Sequence, residues 1–351
     1  YVYCTATYNG NNFYLIKLDS SGNFVSKATI ADITGDGWNA NEVIVDGSYV
    51  YSVASDQYYG GSMLFNKYDL SLNLISSLTY TGTHVGMETV QISNEYAGKF
   101  LLTNIWWQYT CCCIYYYDTV LQLVDSSNLT GTPTFTKRVY VGGAHAYVAA
   151  SNIDASGNSY VFIFSGVYSG IVKLNNAGVV QWYTQFTTTG SSVNSYTPTK
   201  IRFDNAGYLY FATSMYQSST NTVYGAIVKI NSSNGNIQFA RALFNTTSGA
   251  NNLYVTDFDL KDDIMYLAGA TDNNKSQFVF KAPADGSLTQ SFTLASSNFN
   301  YTTASITGSA QTTSTNTITP TPTLSTTTYF NTATFSSTSG SASPTQAVRI
   351  L

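Results

Sequence analysis

Short apolar runs separated by Gly- and Asn-bearing turns fill most of the chain. The stretch Asp154–Phe186, DASGNSYVFIFSGVYSGIVKLNNAGVVQWYTQF, shows the pattern in its clearest form. It predicts three strands, SYVFIFSG, GIVKLN and VVQWYTQF, with Gly157 and Gly178 in the joining turns. Gly and Asn there tolerate the positive φ of tight hairpins. A strand over Ala146–Ile153 precedes them, so the unit is a four-stranded antiparallel meander. One such sheet cannot bury both faces and needs neighbours like itself.

The third strand serves as a ruler for the copies. Lys17, Lys67, Leu123, Lys173, Lys229 and Lys281 hold equivalent places, which sets a period close to fifty residues. A repeat of that length made only of strands predicts an all-β fold, a six-bladed β-propeller of four-stranded antiparallel blades, rather than a helical solenoid. An ordinary sandwich does not reproduce the same turn chemistry six times. Tyr1–Thr7, Phe13–Leu18 and Phe24–Ile30 read as the last three strands of a blade lacking its first. Ser297–Thr307 matches the lead-in of other blades and has no second strand after it. The expectation is that it supplies the missing strand, closing the ring by pairing N- and C-terminal strands. The last complete blade is expected to use Tyr254–Leu260, Ile264–Gly269, Gln277–Lys281 and Leu288–Leu294.

ITGDGWNANEVIVDGSYVYSVAS, NIDASGNSYVFIFSG with GIVKLNNAGVVQW, and FDNAGYLYFATS with GAIVKINSSNGNIQF carry a family likeness. Over residues 1 to about 307 the chain resembles the SBBP-type β-propeller repeats of secreted proteins. The resemblance implies a propeller and an extracellular setting. It carries over no catalytic residue, because the repeated positions are turn glycines and strand apolars.

The domain division that follows is a propeller over 1–307 and a tail over 308–351. The tail is rich in Thr and Ser, holds Pro320, Pro322 and Pro344, and has one charged residue, Arg349. Such a segment cannot bury enough apolar surface to fold alone. Thr327–Phe335 and Ala347–Leu351 nevertheless have strand composition. They predict either a flexible, O-glycosylated stalk or strand addition to a sheet of the same or a neighbouring copy.

Composition narrows the class. Of 351 residues 44% are apolar and only 10% charged, with 29 Tyr and 19 Phe, a bias towards strand formers. A net charge of −4 with 15 Lys and Arg offers no basic surface for nucleic acid. No apolar run approaches the roughly 20 residues that cross a bilayer, so no membrane span is expected. The chain opens on Tyr1 in mid-strand, which suggests a mature or trimmed product. Asn128, Asn231, Asn245, Asn274 and Asn300 stand in glycosylation sequons, a number near chance for this composition.

Candidate chemistry is sparse. Cys111, Cys112 and Cys113 are consecutive and lack the spacer of zinc pairs, so with Cys4 they read as disulfide candidates in an extracellular protein. Trp106, Trp107, Tyr109 and Tyr115 flank them and suit a partner contact or a sugar-stacking platform, unless they pack between blades. Asp32, Thr34 and Asp36 before Gly37 resemble part of a calcium loop, but Ala40 and Val43 lack the later oxygens. His84 and His145 sit in no defensible triad, and phosphate-cradling Gly-rich loops are absent. No cofactor, metal or catalytic residue is expected. The sequence points to a non-catalytic extracellular structural protein, a filament subunit whose partners are copies of itself or another surface protein. Tyr329, Phe330 and Phe335 are its tail contacts. The alternative is an adhesin that binds glycans through the aromatic loop.

Overall fold

A computed structural model describes residues 1–317 apart from 9–11, 32–37, 57–62, 81–84, 94–95, 97, 111–113, 129–132, 142–146, 166–167, 189–199, 218–220, 247–251, 272–275, 295–296 and 311–312. Among these residues all regular structure is strand, arranged in six antiparallel sheets that follow one another along the chain. Sheet 1 pairs β1 (Val2–Tyr8), β2 (Asn12–Leu18) and β3 (Phe24–Ala31). Sheet 2 orders β4 (Trp38–Val45), β5 (Tyr49–Asp56), β6 (Met63–Asp69) and β7 (Leu74–Tyr80). Sheet 3 begins with β8 (Val85–Ser93), β9 (Lys99–Thr110), β10 (Ile114–Asp125) and β11 (Phe135–Val141). Sheet 4 begins with β12 (Tyr147–Ile153), β13 (Ser159–Ser165), β14 (Tyr168–Leu174) and β15 (Val180–Thr188). Sheet 5 begins with β16 (Ile201–Phe203), β17 (Tyr208–Gln217), β18 (Thr222–Asn231) and β19 (Ile237–Asn245). Sheet 6 holds β20 (Leu253–Lys261), β21 (Ile264–Thr271) and β22 (Ser276–Pro283).

The fifty-residue repeat is therefore a repeat of sheets, and each sheet buries its faces against its neighbours. Phe13, Leu15, Val50 and Leu64 form a core between sheets 1 and 2. Tyr51, Phe65, Phe100 and Leu102 join sheets 2 and 3, and Leu101, Leu121, Val161 and Val172 join 3 and 4. Tyr160, Phe162, Leu209, Phe211 and Val228 fill the space between 4 and 5, and Tyr210, Ala212, Leu267 and Phe280 that between 5 and 6. No such cluster joins sheet 6 to sheet 1 among the described residues.

Two expected strand assignments are corrected. Ser297–Thr307 does not complete sheet 1: β24 (Ser297–Thr303) lies in sheet 5, hydrogen-bonded to β19 on one side and to β23 (Gln290–Leu294) on the other. The segment expected as the fourth strand of sheet 6 is that same β23. The physical reason is aromatic burial. On β19 the chain places Phe299 and Tyr301 in the core between sheets 5 and 6, with ring centroids 5.8 Å from Phe278 and 4.9 Å from Phe280 respectively. At sheet 1 they would join Tyr1 and Val2, which are 75% and 53% exposed.

From β24 the chain runs back along the fourth strands of the preceding sheets. β25 (Ile306–Ala310) adds to β15 of sheet 4, and β26 (Thr313–Thr317) to β11 of sheet 3. The boundary expected between residues 307 and 308 thus falls inside a strand. Gly308 is required there, since a Cβ would stand 2.7 Å from the Thr184 methyl and 3.2 Å from Ile237 Cδ1.

Candidate functional site

One polar device recurs at the seams between sheets. The lysine of β2, β6 or β14 reaches the turn joining the third and fourth strands of the next sheet. Lys17 Nζ donates to Leu70 O at 2.8 Å, Lys67 Nζ to Ser126 O at 3.1 Å, and Lys173 Nζ to Ser232 O at 3.0 Å. A tyrosine on the preceding strand lies beside each lysine. Lys67 Nζ stands 3.9 Å from the Tyr49 ring centroid and Lys173 Nζ 5.2 Å from that of Tyr160. Tyr3 donates to Leu70 O at 3.0 Å, and Tyr160 to both Asp154 Oδ2 at 3.0 Å and Ser232 O at 3.4 Å. Between sheets 5 and 6 the pieces are rearranged. Lys229 pairs with Asp204 of its own sheet at 3.1 Å, and Tyr210 donates across the seam to Ala284 O at 3.0 Å.

Burial shifts three of these groups. Burial, reinforced by Asp154 and Asp204, pushes the Tyr160 and Tyr210 phenols far above their ordinary value, so both remain donors. Burial lowers Lys173, against the opposing charge of Asp154. The turns are held by side-chain bonds. Asp69 Oδ1 accepts from Ser71 N at 2.8 Å and Asn73 N at 2.9 Å, and Oδ2 from Asn73 Nδ2 at 2.8 Å. These bonds, the Asn73 side chain foremost, keep its carboxyl below the usual range. Asp19 repeats the arrangement, and Asn175 holds the corresponding turn of sheet 4 without a charge. Sequence reading used the lysines only as spacing marks; the signal missed was the recurrence of Tyr on the strand that pairs with each.

The first strands of sheets 5 and 6 are tied by Lys200, just before β16, to Asp257 at 3.1 Å and by Arg202 to Asp259 at 2.7 Å. Asp257 and Asp259 are thus ion-pair partners here. Among the described residues no three His, Cys, Asp or Glu groups gather where a metal could sit.

The expected site residues separate by location. Asp32–Gly37, His84, His145, Cys111, Cys112, Cys113, Asn274, Tyr329, Phe330 and Phe335 lie outside the described residues. Cys4, on β1, carries a free thiol, so the disulfide expected of it is not formed among the described residues. Trp106, Trp107 and Tyr109 fall on β9 and Tyr115 on β10. The register sets Trp107 opposite Tyr117 and Tyr109 opposite Tyr115 on the two longest strands among the described residues. Of the sequons, Asn128 is exposed and Asn231 is half-buried, its Oδ1 accepting from Ser233 N at 2.9 Å. Asn300 sits half-buried on β24 between two strands. Asn245 is 5% exposed on β19, which leaves no room for a glycan at that position in the folded chain. No protein-family model matches the chain, and no curated protein does.

Proposed function

We propose that the chain is a non-catalytic, extracellular structural subunit: a six-bladed propeller whose C-terminal segment beyond Thr317 contacts a neighbouring copy. The observation that carries this reading is strand addition by the segment that precedes it. Three successive strands, β24, β25 and β26, each add by backbone pairing to the fourth strand of a sheet, a mode of contact that serves equally between chains. Strand-like Thr327–Phe335 and Ala347–Leu351 follow. The charged groups at the seams are meanwhile spent on holding sheets together.

The ring reading has its own support. Val2 of sheet 1 stands where sheet 5 has Leu209, and Ile16 where it has Val228, by the register of each with its lysine strand. Leu209 and Val228 are fully buried, whereas Val2 is 53% exposed and Ile16 half-buried. Sheet 6 presents Lys281 beside its partner Tyr266, the donor half of the lysine device, and sheet 1 presents the Asp19–Gly22 turn, the acceptor half. Packing of sheet 6 on sheet 1 would join them. The resemblance to secreted propeller repeats agrees with this reading.

A chain ending at Thr317 keeps every strand described above. It should stay folded and run as a monomer by light scattering while the full chain assembles. Equal assembly of the two removes the tail from the mechanism. A second reading, glycan binding by an adhesin, is favoured by the long β9–β10 hairpin with its cross-strand aromatics. A glycan array on the purified chain would show selective binding only in that case.

A further inference from the structure

The three added strands keep a strict register. Phe239 pairs with Lys229, Trp182 with Lys173 and Phe135 with Leu123, which makes Arg241, Thr184 and Lys137 equivalent outer-strand positions. Their partners on the returning segment are Thr303, Ala310 and Thr317, each seven residues after the last. Five residues pair and two cross to the next sheet. The order of travel is sheet 5, sheet 4, sheet 3.

The next edges in that order are β7 and β3, which end their sheets among the described residues. Ser76 pairs with Lys67 and Ser26 with Lys17, so the positions equivalent to Thr184 are Leu78 and Ala28. Two more steps of seven along the chain reach Leu324 and Asn331. We infer that this chain's own residues 320–324 add to β7, with Leu324 opposite Leu78, and its residues 327–331 add to β3, with Asn331 opposite Ala28.

An independent feature of the sequence agrees with the register. Ala304 N donates to Ala240 O and Thr246 N to Asn298 O, so even-numbered positions of the sheet 5 strand face their partner, and positions 299, 301 and 303 turn their N–H away. Three steps on, 299 and 301 become 320 and 322, which are Pro320 and Pro322. Proline is tolerated on an edge strand only where its missing N–H would have faced outwards. A slip of one residue would put both prolines against β7. Phe299 and Tyr301 are 3% and 1% exposed, and one step beyond the prolines the position of Tyr301 is filled by Tyr329. The occupant is committed to the same chain because only two residues separate Thr317 from the next step. Joined to the proposed function, this leaves residues 332–351, with Phe335, to meet a neighbour.

Cross-strand disulfides test the register. Leu78→Cys with Leu324→Cys places two cysteines at a non-hydrogen-bonded pair, about 4.5 Å apart at Cα, within the range a disulfide spans. The full-length double variant is oxidised, the bond is located by peptide mass spectrometry, and chain number is read on a non-reducing gel. Lys137→Cys with Thr317→Cys, a pair already in the ladder, is the positive control. The expected result is near-complete bonding within one chain for both pairs, and little for Leu78→Cys with Thr323→Cys, whose side chains fall on opposite faces. Bonding in the control alone, or equally at 323, overturns the inference. A bond between chains at 78 and 324 also overturns it, while leaving the subunit reading standing.

Discussion

Replacing the seam lysines by methionine should destabilise the protein in a definite order, set by what each lysine leaves behind. Ser232 O accepts from Lys173 Nζ at 3.0 Å, Trp182 Nε1 at 3.2 Å and Tyr160 at 3.4 Å, so two donors remain after Lys173→Met. The methionine keeps the apolar stem, and the loss is about 1 kcal/mol, one charge-assisted bond partly compensated. Lys67 is the sole side-chain donor to Ser126 O among the described residues, and its ammonium stands over Tyr49 at 3.9 Å. Removing it forfeits the bond and the ring contact, about 2 kcal/mol in a half-buried site that water partly refills. Lys229 pairs with Asp204, their side chains 16% and 8% exposed. Its removal leaves a buried carboxylate without a cation, which costs about 3 kcal/mol, tempered by the Ala206, Tyr208 and Tyr210 donors that Asp204 keeps. Urea unfolding of the three variants, monitored by tyrosine fluorescence, gives the midpoints. The expected order of loss is Lys229, then Lys67, then Lys173. If Lys173→Met costs as much as Lys67→Met, or all three fall within about 0.5 kcal/mol of the parent, these lysines do not act through the acceptors they touch.

Gly308→Val should cost about 1–3 kcal/mol by overpacking against Thr184, and raise amide exchange across 306–310 and 184–188 together; unchanged protection there would dissociate β25 from β15. Leu72 takes φ 69°, where its neighbours in the repeat have Gly22 and Gly178, yet it is 7% exposed in the core between sheets 1 and 2. Leu72→Gly relieves about 1–2 kcal/mol of left-handed strain but loses a buried side chain valued at about 2–5 kcal/mol, so a net loss is expected by thermal melting, and a gain would contradict the packing. Asp19 and Asp69 have folded-state values lowered by their turn bonds, so the stability they give is present above the unfolded carboxyl value near 3.9 and drains away as pH falls through the folded one. Asp69→Asn should therefore flatten the acid side of the stability curve below about pH 4, and an unaltered slope would refute the turn's role.

Spacing and turn chemistry made the repeat legible, because each sheet closes its hairpins locally with Asp, Asn and Gly at fixed places. The seams were half-legible: the lysines stood out as marks, but their partners lie in the next repeat, at separations such as 53 residues for Lys17 and Leu70. The ends were misread for the same reason. Strand composition in Ser297–Thr303 says that a partner exists and nothing about which edge, and the choice of β19 was decided by aromatic burial contributed from sheet 6. Likewise 306–317 is poor in large apolar residues because it adds to edges by backbone bonds, which composition does not register. The aromatic hairpin and the cysteine run were picked out by residue type alone. Of the four cysteines only Cys4 is described, as a free thiol.

Negative-stain electron microscopy of the purified full-length protein beside the chain ending at Thr317 bears on the structural role most directly. The account predicts continuous fibres from the first and separate ring-sized particles from the second. Separate particles from both would contradict it.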